Sequence, residues 1–174
     1  MRFMRALSVL VVLLSAPVSL FAQDDENAGF HSVGAYVGAE FDNEKDWLLL
    51  GLDTRISLGV KHMEINPRYS FHPFDGGSIT QFDVNFLHNY VLADQGRFHP
   101  FVGIGAGIWH QGFDEIGGIQ PDGETKVGLN LVTGTRLAMT PGARYEPFIH
   151  AQYSIINDLQ NSFTMVVGVS FLID

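Results

Sequence analysis

Hydrophobic and polar residues alternate along most of this chain with a period of two. The alternation comes in runs of about 10 to 14 residues, which Gly, Asp, Asn and Pro interrupt. No window after Gly29 has the spacing of an amphipathic helix. We therefore predict an all-β protein with eight strands, at 30–41, 47–59, 62–73, 79–92, 98–112, 126–139, 145–156 and 162–173.

Each segment has one apolar face and one polar face. In the third segment, one face carries Met63, Ile65, Pro67, Tyr69 and Phe71 and the other carries His62, Glu64, Asn66, Arg68, Ser70 and His72. The apolar residues alone define the faces, so the positions of the charged residues are an independent observation. Every charge within a segment falls on the polar face: Glu40, Asp53, Arg55, Glu64, Arg68, Asp83, Lys126, Arg136 and Glu146.

The composition of the polar face indicates that it points inward. A water-soluble sandwich or a lipocalin-like binding barrel also alternates, but its exposed face is expected to be rich in Lys and Glu. Here Gly, Ser, Thr, Asn and His dominate, and five acidic residues nearly balance four basic ones. Such a mixture fills a narrow lumen without unpaired ions. We expect an eight-stranded antiparallel up-and-down transmembrane β-barrel, with a soluble lipocalin-like barrel as an alternative.

Strand length and aromatic positions agree with a membrane barrel. Strands of about 10 to 12 residues, tilted by about 40°, rise about 25 to 30 Å, the height of the apolar band of an outer-membrane barrel. Aromatic residues near segment ends are typical of the girdles at the two lipid interfaces. The candidate interface aromatics are Phe41, Trp47 and Phe71 at one rim, and Tyr90, Phe98, Tyr145 and Phe171 at the other.

The N-terminus has the three regions of a secretory signal peptide. Arg2 and Arg5 precede an apolar run, and Ala22 is followed by an acidic stretch. Pro17 interrupts the run, which is shorter than the roughly 20 apolar residues of a membrane-anchoring helix. We predict a cleaved signal peptide at 1–22, a short lead at 23–29 and a barrel domain at 30–174.

Charge and cysteine content exclude several classes of protein. The 174 residues include 10 Lys and Arg, 19 Asp and Glu and no Cys, with a formal net charge of −9. Removal of residues 1–22 takes away two arginines and no acid, which makes the net charge −11. A nucleic-acid partner, disulfides and thiolate metal sites are therefore not expected.

One segment resembles a known family. Residues 96–107, Gly-Arg-Phe-His-Pro-Phe-Val-Gly-Ile-Gly-Ala-Gly, resemble the strand Arg-x-x-Pro-[Phe/Tyr]-Val-Gly-x-Gly-x-Gly of small OmpA/OmpX-like outer-membrane barrels, and 142–148 is a weaker match. Residues 168–173 are similar to the C-terminal assembly signal of such barrels, with Ile173 in place of the last aromatic residue. The resemblance implies the Gram-negative outer membrane, contact with its lipid and lipopolysaccharide, the outer-membrane assembly machinery as a partner during biogenesis, and a monomer.

The lumen charges are the main candidate site. An eight-stranded barrel is just wide enough for its own side chains, so no open pore is expected. We predict a structural polar network of Glu40, Asp53, Arg55, Glu64, Arg68, Asp83, Arg136 and Glu146 that keeps the barrel rigid. The expected role is structural support of the cell envelope or a surface interaction. For the latter, the long connection at 114–125 is the candidate segment.

An enzyme is the alternative from another class. One family of lipid A deacylases uses a barrel of this size with a His-x-Ser pair near the C-terminus. Here His150 and Ser154 are four residues apart, about 13 Å along a strand, and Gln152 occupies the histidine position of that pair. Both side chains are predicted to point inward, away from lipid. We therefore expect no catalytic site.

Neither a metal nor a cofactor is expected from the motifs. The seven histidines are scattered over both faces and both rims: His31, His62, His72, His88, His99, His110 and His150. Gly103, Gly105 and Gly107 lie inside a strand and lack the helix that follows a nucleotide fingerprint. We expect such lumen glycines to make room for bulky neighbours such as Phe101 and Trp109.

Overall fold

The computed structural model describes residues 28–41, 46–90, 97–114, 122–140, 143–157 and 161–173, without the side chains of Asp46 and Trp47. It contains eight strands: β1 (Gly29–Phe41), β2 (Asp46–Ser57), β3 (Met63–Phe74), β4 (Gly77–Asn89), β5 (Phe98–Phe113), β6 (Glu124–Leu137), β7 (Tyr145–Ile156) and β8 (Asn161–Leu172). Each strand pairs antiparallel with the next, and β8 pairs with β1. The predicted eight-stranded up-and-down barrel is confirmed. The predicted signal peptide lies outside the described residues.

The connection between β3 and β4 is tighter than predicted. The predicted segments leave residues 74–78 as a connection, whereas β3 continues to Phe74 and only Asp75 and Gly76 form the turn. Gly76 supplies the left-handed conformation, with φ of +88°. The pairing of β2 with β3 ends at Leu50 and Phe71, so Pro73 lies beyond that ladder and its missing N–H leaves no gap in it.

Pro67 interrupts the ladder inside β3. The pairing of β2 with β3 passes from Asp53–Arg68 directly to Ile56–Ile65 and omits Pro67, which has no N–H to donate. The side-chain amide of Asn66 donates to the Thr54 carbonyl oxygen at 2.8 Å. A side chain in the lumen thus satisfies a backbone acceptor at the point where the sheet lacks a donor.

The outer wall is apolar and the interior is polar. Every strand exposes large hydrophobic side chains on the outside, including Leu48 at 77% and Val167 at 55%. Among the described residues, 21 buried side chains are polar or charged and only nine are hydrophobic. This distribution is the reverse of that in a water-soluble protein. No helix in the described ranges is long and apolar enough to cross a bilayer.

The connections between strands lie at the two ends of the barrel. We call the end at which β1 begins and β8 ends the terminal rim, and the other end the opposite rim. At the terminal rim, β2 connects to β3 through residues 58–62, where Gly59 and His62 both have positive φ. The described connections at the opposite rim include the Asp75–Gly76 turn.

Large aromatic side chains inside the barrel lie over glycines. Phe101 pairs with Gly134 and Phe148 pairs with Gly168 on the neighbouring strands. A Cβ atom added to Gly134 would lie 2.5 Å from the Phe101 ring, and one added to Gly168 would lie 2.6 Å from the Phe148 ring. Trp109 covers Gly107 in the same way. The absence of a side chain at each glycine therefore leaves room for the neighbouring ring.

Candidate functional site

An ion cluster fills the lumen near the terminal rim. It consists of Arg55 near the end of β2, Glu64 near the start of β3, Arg136 near the end of β6 and Glu146 near the start of β7. Arg136 donates to both carboxylate oxygens of Glu64 at 3.3 Å. Arg55 lies 3.5 Å from Glu64, and Arg136 lies 3.9 Å from Glu146. Since β3 and β6 are not neighbours in the sheet, the Arg136–Glu64 pair crosses the lumen.

A second set of polar contacts is centred on Arg68. Its guanidinium donates to the Gln152 side-chain oxygen at 3.0 Å and lies 2.8 Å from His150 Nε2. A guanidinium can only donate, so His150 Nε2 must be the acceptor and the imidazole is neutral. On the other side Arg68 lies 3.9 Å from Asp53, which also accepts from Arg55 at 3.3 Å. Asp53 therefore links the two arginines.

Asp83 is a buried carboxylate surrounded by amide donors. The Gln81 amide donates to its two oxygens at 2.8 and 3.0 Å, and Asn130 donates at 2.9 Å. Gln152 adds a longer bond at 3.3 Å. These donors come from β4, β6 and β7. Hydrogen bonds rather than a directly contacting cation therefore hold this carboxylate.

Apolar and aromatic side chains close the space between the polar groups. One cluster of buried residues consists of Tyr36, Leu49, Phe148 and Val166, and a second consists of Leu87, Phe101 and Val132. The Arg55 guanidinium lies 4.7 Å from the centre of the Phe101 ring, and that of Arg68 lies 4.5 Å from the centre of the Tyr36 ring. Stacking on rings stabilises these buried cations in addition to the carboxylates. The lumen is thus packed by its own side chains.

At the opposite rim the lumen opens into a small polar pocket. A cavity of about 70 Å³ is lined by residues that include Glu40, Trp109, Glu124, Lys126 and Ser162. Lys126 lies 3.3 Å from Glu124. Below them, His72 Nδ1 lies 2.7 Å from a Glu40 carboxylate oxygen. The indole N–H of Trp109 and the hydroxyl of Ser162 are buried and have no hydrogen-bond partner among the described residues. The pocket is large enough for water or a small ion.

The predicted lumen residues all lie on the inner wall. Glu40, Asp53, Arg55, Glu64, Arg68, Asp83, Arg136 and Glu146 are buried. Six of them form one continuous series of ion pairs, in the order Glu146, Arg136, Glu64, Arg55, Asp53 and Arg68. Asp83 is joined to Arg68 through Gln152, and Glu40 contacts His72 separately. Four uncharged amides, Gln81, Asn85, Asn130 and Gln152, also line the lumen, and their parity along each strand is the signal that places them inside.

The predicted interface aromatics lie on the outer wall where their side chains are described. Phe41, Tyr90, Phe98, Tyr145 and Phe171 are exposed near strand ends, and Phe71 is half-buried. Phe41 stacks on Phe163 with ring centres 6.4 Å apart. The side chain of Trp47 lies outside the described residues. Aromatic rings at both rims are the arrangement found at lipid interfaces.

The candidate hydrolytic pair lies inside the lumen. His150 and Ser154 are both fully buried. Ser154 donates to Asn130 at 2.9 Å and accepts from Gln152 at 3.1 Å, while His150 contacts Arg68. Each side chain therefore has partners of its own in the polar interior, away from the outer wall.

Among the described residues, no group of three or more His, Cys, Asp or Glu side chains is arranged to hold a metal ion. The His72–Glu40 contact involves two such residues, and His150 is engaged with an arginine. The two buried lumen histidines therefore contact one charged side chain each, Glu40 for His72 and Arg68 for His150.

The closed sheet, the apolar outer wall and the packed polar lumen together define an eight-stranded barrel of the outer-membrane type. The structure of Neisserial surface protein A matches with a TM-score of 0.67 and 14% identity, over 85% of this chain and all of that one. The N-terminal barrel domain of Pseudomonas aeruginosa OprF matches with a TM-score of 0.58, 16% identity and coverage of 83% and 99%. The attachment invasion locus protein Ail of Yersinia pestis has a TM-score of 0.58, 14% identity and coverage of 85% and 99%.

These similarities bear on the fold. No protein-family model matches this chain, and no curated protein has a significantly similar sequence. The resemblance to small OmpA/OmpX-like barrels, predicted from residues 96–107, is confirmed at the level of the fold. Barrels of this kind carry different functions, so the role of this chain has to be argued from its own residues.

Proposed function

We propose that this protein is an integral, non-enzymatic protein of the bacterial outer membrane that supports the cell envelope. The apolar outer wall carries this proposal, because side chains such as Leu48, Leu50, Leu129 and Leu131 are exposed around a closed sheet. In water this surface would be an aggregation site, whereas in a bilayer it is solvated by acyl chains. The solved barrels with the same fold are outer-membrane proteins, which supports this location.

The lumen supports a structural role rather than transport. The Arg136–Glu64 pair crosses the barrel, and the Phe101 cluster and the Phe148 cluster occupy the space beside it. Passage of an ion would require these buried pairs to separate, which is costly in a low-dielectric interior. The network instead joins strands that are far apart in the sheet and makes the barrel resist deformation.

The connections suggest an orientation. In outer-membrane barrels the short turns lie in the periplasm and the longer loops outside the cell. The opposite rim has both the longest connection, β5–β6 between Phe113 and Glu124, and the shortest, the Asp75–Gly76 turn, so the orientation rests on the longest connection alone. We therefore propose that the terminal rim is periplasmic and that any surface interaction uses this connection. Lipid A hydrolysis is not proposed, because His150 and Ser154 face the lumen.

Membrane fractionation combined with gel migration tests this proposal. The exported protein should be recovered in the outer-membrane fraction, require detergent for solubility and migrate differently before and after boiling. A closed barrel that unfolds only on heating explains the shift in migration. Recovery of a folded monomer in the periplasmic fraction, soluble in plain buffer, would contradict the proposal.

A further inference from the structure

Three side chains at the terminal rim converge outside the lumen. His62 ends the β2–β3 connection, Met63 is the first residue of β3, and His88 lies directly opposite Met63 on β4. We call them the His–Met cluster. The His88 Nδ1 atom lies 3.3 Å from the Met63 sulfur, and the ring centres of His62 and His88 are 6.4 Å apart. His88 is exposed and the other two are half-buried, so the cluster lies at the surface of the terminal rim.

These distances fit donors that share one metal ion. With metal–nitrogen and metal–sulfur bonds of about 2.0 and 2.3 Å, a tetrahedral angle places the nitrogen and sulfur about 3.5 Å apart. An imidazole ring centre then lies about 3.2 Å from the metal, so two rings bound at tetrahedral or trigonal angles have centres about 5.2 to 5.5 Å apart. The observed nitrogen–sulfur distance of 3.3 Å is close to the value for a shared ion. The two ring centres, 6.4 Å apart, have to move about 1 Å closer, which a rotation of the half-buried His62 side chain can supply.

The backbone around the cluster is already ordered by hydrogen bonds. The His62 carbonyl oxygen accepts from the Asn89 N–H at 2.8 Å, and the Met63 N–H donates to the Val60 carbonyl oxygen at 3.0 Å. The Tyr90 ring packs edge-on against His88 with ring centres 4.9 Å apart. Little chain ordering would therefore accompany binding, which favours affinity.

We propose that His62, Met63 and His88 bind a soft monovalent metal ion, Cu(I), at the terminal rim. A thioether with two imidazoles is a neutral donor set, and thioether sulfur selects Cu(I) over harder ions. A search for clusters of histidines alone would miss this site, because its soft ligand is the methionine sulfur. The inference does not depend on the proposed role in the envelope.

Competition for Cu(I) tests the site on the folded barrel in detergent micelles. Under anaerobic, reducing conditions the wild-type protein should withdraw one equivalent of Cu(I) from its bicinchoninate complex. Met63→Leu and His88→Gln should each weaken binding by about tenfold or more. His110→Gln is the matched control, since His110 is exposed at the opposite rim and bonds to Thr125. It should bind like the wild type.

Two further measurements keep the result interpretable. Heat-modifiable migration of each variant shows that the barrel is folded. In methyl NMR spectra, Ag(I) as a redox-inert substitute should shift the Met63 methyl resonance. The inference is overturned if the folded wild type takes no Cu(I) from bicinchoninate, or if Met63→Leu binds as tightly as the wild type.

Discussion

The orientation of the outer wall can be tested by placing a charge at mid-strand. Leu131 lies midway along β6 and pairs with Ile104 on β5 and Tyr153 on β7. Its side chain is 54% exposed on the outer wall. The substitution Leu131→Arg therefore puts a guanidinium at the centre of the apolar belt, where a lipid-facing outer wall contacts hydrocarbon. Met139→Arg puts the same charge just beyond the end of β6, at the terminal rim.

The expected cost follows from depth in the bilayer. Arginine on the lipid face costs about 2 to 4 kcal/mol at the midplane and about 0 to 1 kcal/mol near the interface. Leu131→Arg should therefore lower the folding equilibrium constant by about 30- to 700-fold, since 1.4 kcal/mol is a factor of ten. Met139→Arg should change it by about fivefold or less.

Reversible urea unfolding in phospholipid vesicles, followed by tryptophan fluorescence, measures both free energies. Leu131→Ala controls for the loss of the leucine side chain without a charge, and it should be the milder of the two substitutions at that position. Equal losses for the mid-strand and rim arginines would refute the depth argument. An effect of Leu131→Arg below about 0.5 kcal/mol, the usual range for an ordinary water-exposed surface site, would refute the lipid-facing assignment itself.

Three further predictions concern the lumen. Gly105→Ala should destabilise the barrel by about 1 to 3 kcal/mol, because the new methyl group would collide with Asn85. Gly112→Ala is the control, since its methyl group would contact nothing within 4 Å, and it should leave the urea melt unchanged. Arg136→Met removes the guanidinium that donates to both oxygens of Glu64 and leaves Arg55, 3.5 Å away, as the remaining arginine contact. The unfolding free energy should fall by about 3 kcal/mol, and a fall below about 1 kcal/mol would contradict the ion cluster. The wild type should give no stepwise current in planar bilayers, and regular channel openings would contradict a closed lumen.

The architecture was predictable because the two faces of each strand differ so strongly in chemistry. Charged residues such as Asp53 and Arg68 identify the inner face independently of the apolar pattern, and both are buried. Pairing charges across the lumen also explains why their signs nearly balance. The glycines opposite Phe101 and Phe148 follow from the same geometry, since a narrow lumen cannot hold two large side chains at one level.

Two kinds of detail could not be predicted from alternation. Leu49, Leu87, Val132 and Val166 point inward, but each has an apolar outward neighbour, so the pattern there shows a continuous apolar run instead of a period of two. Contacts between distant strands, such as Arg136 with Glu64, depend on barrel closure and on how the strands are staggered. A single strand's sequence contains neither quantity.

Nuclear Overhauser effects between protein methyl groups and lipid acyl chains test the central claim most directly. In a nanodisc, without any substitution, the outward methyls of Leu50, Leu52, Leu129 and Leu131 should show effects to acyl-chain protons. The inward methyls of Leu49 and Leu87 should show none. The reverse distribution, with lipid contacts at Leu49 and Leu87 and water contacts at Leu131, would contradict the account.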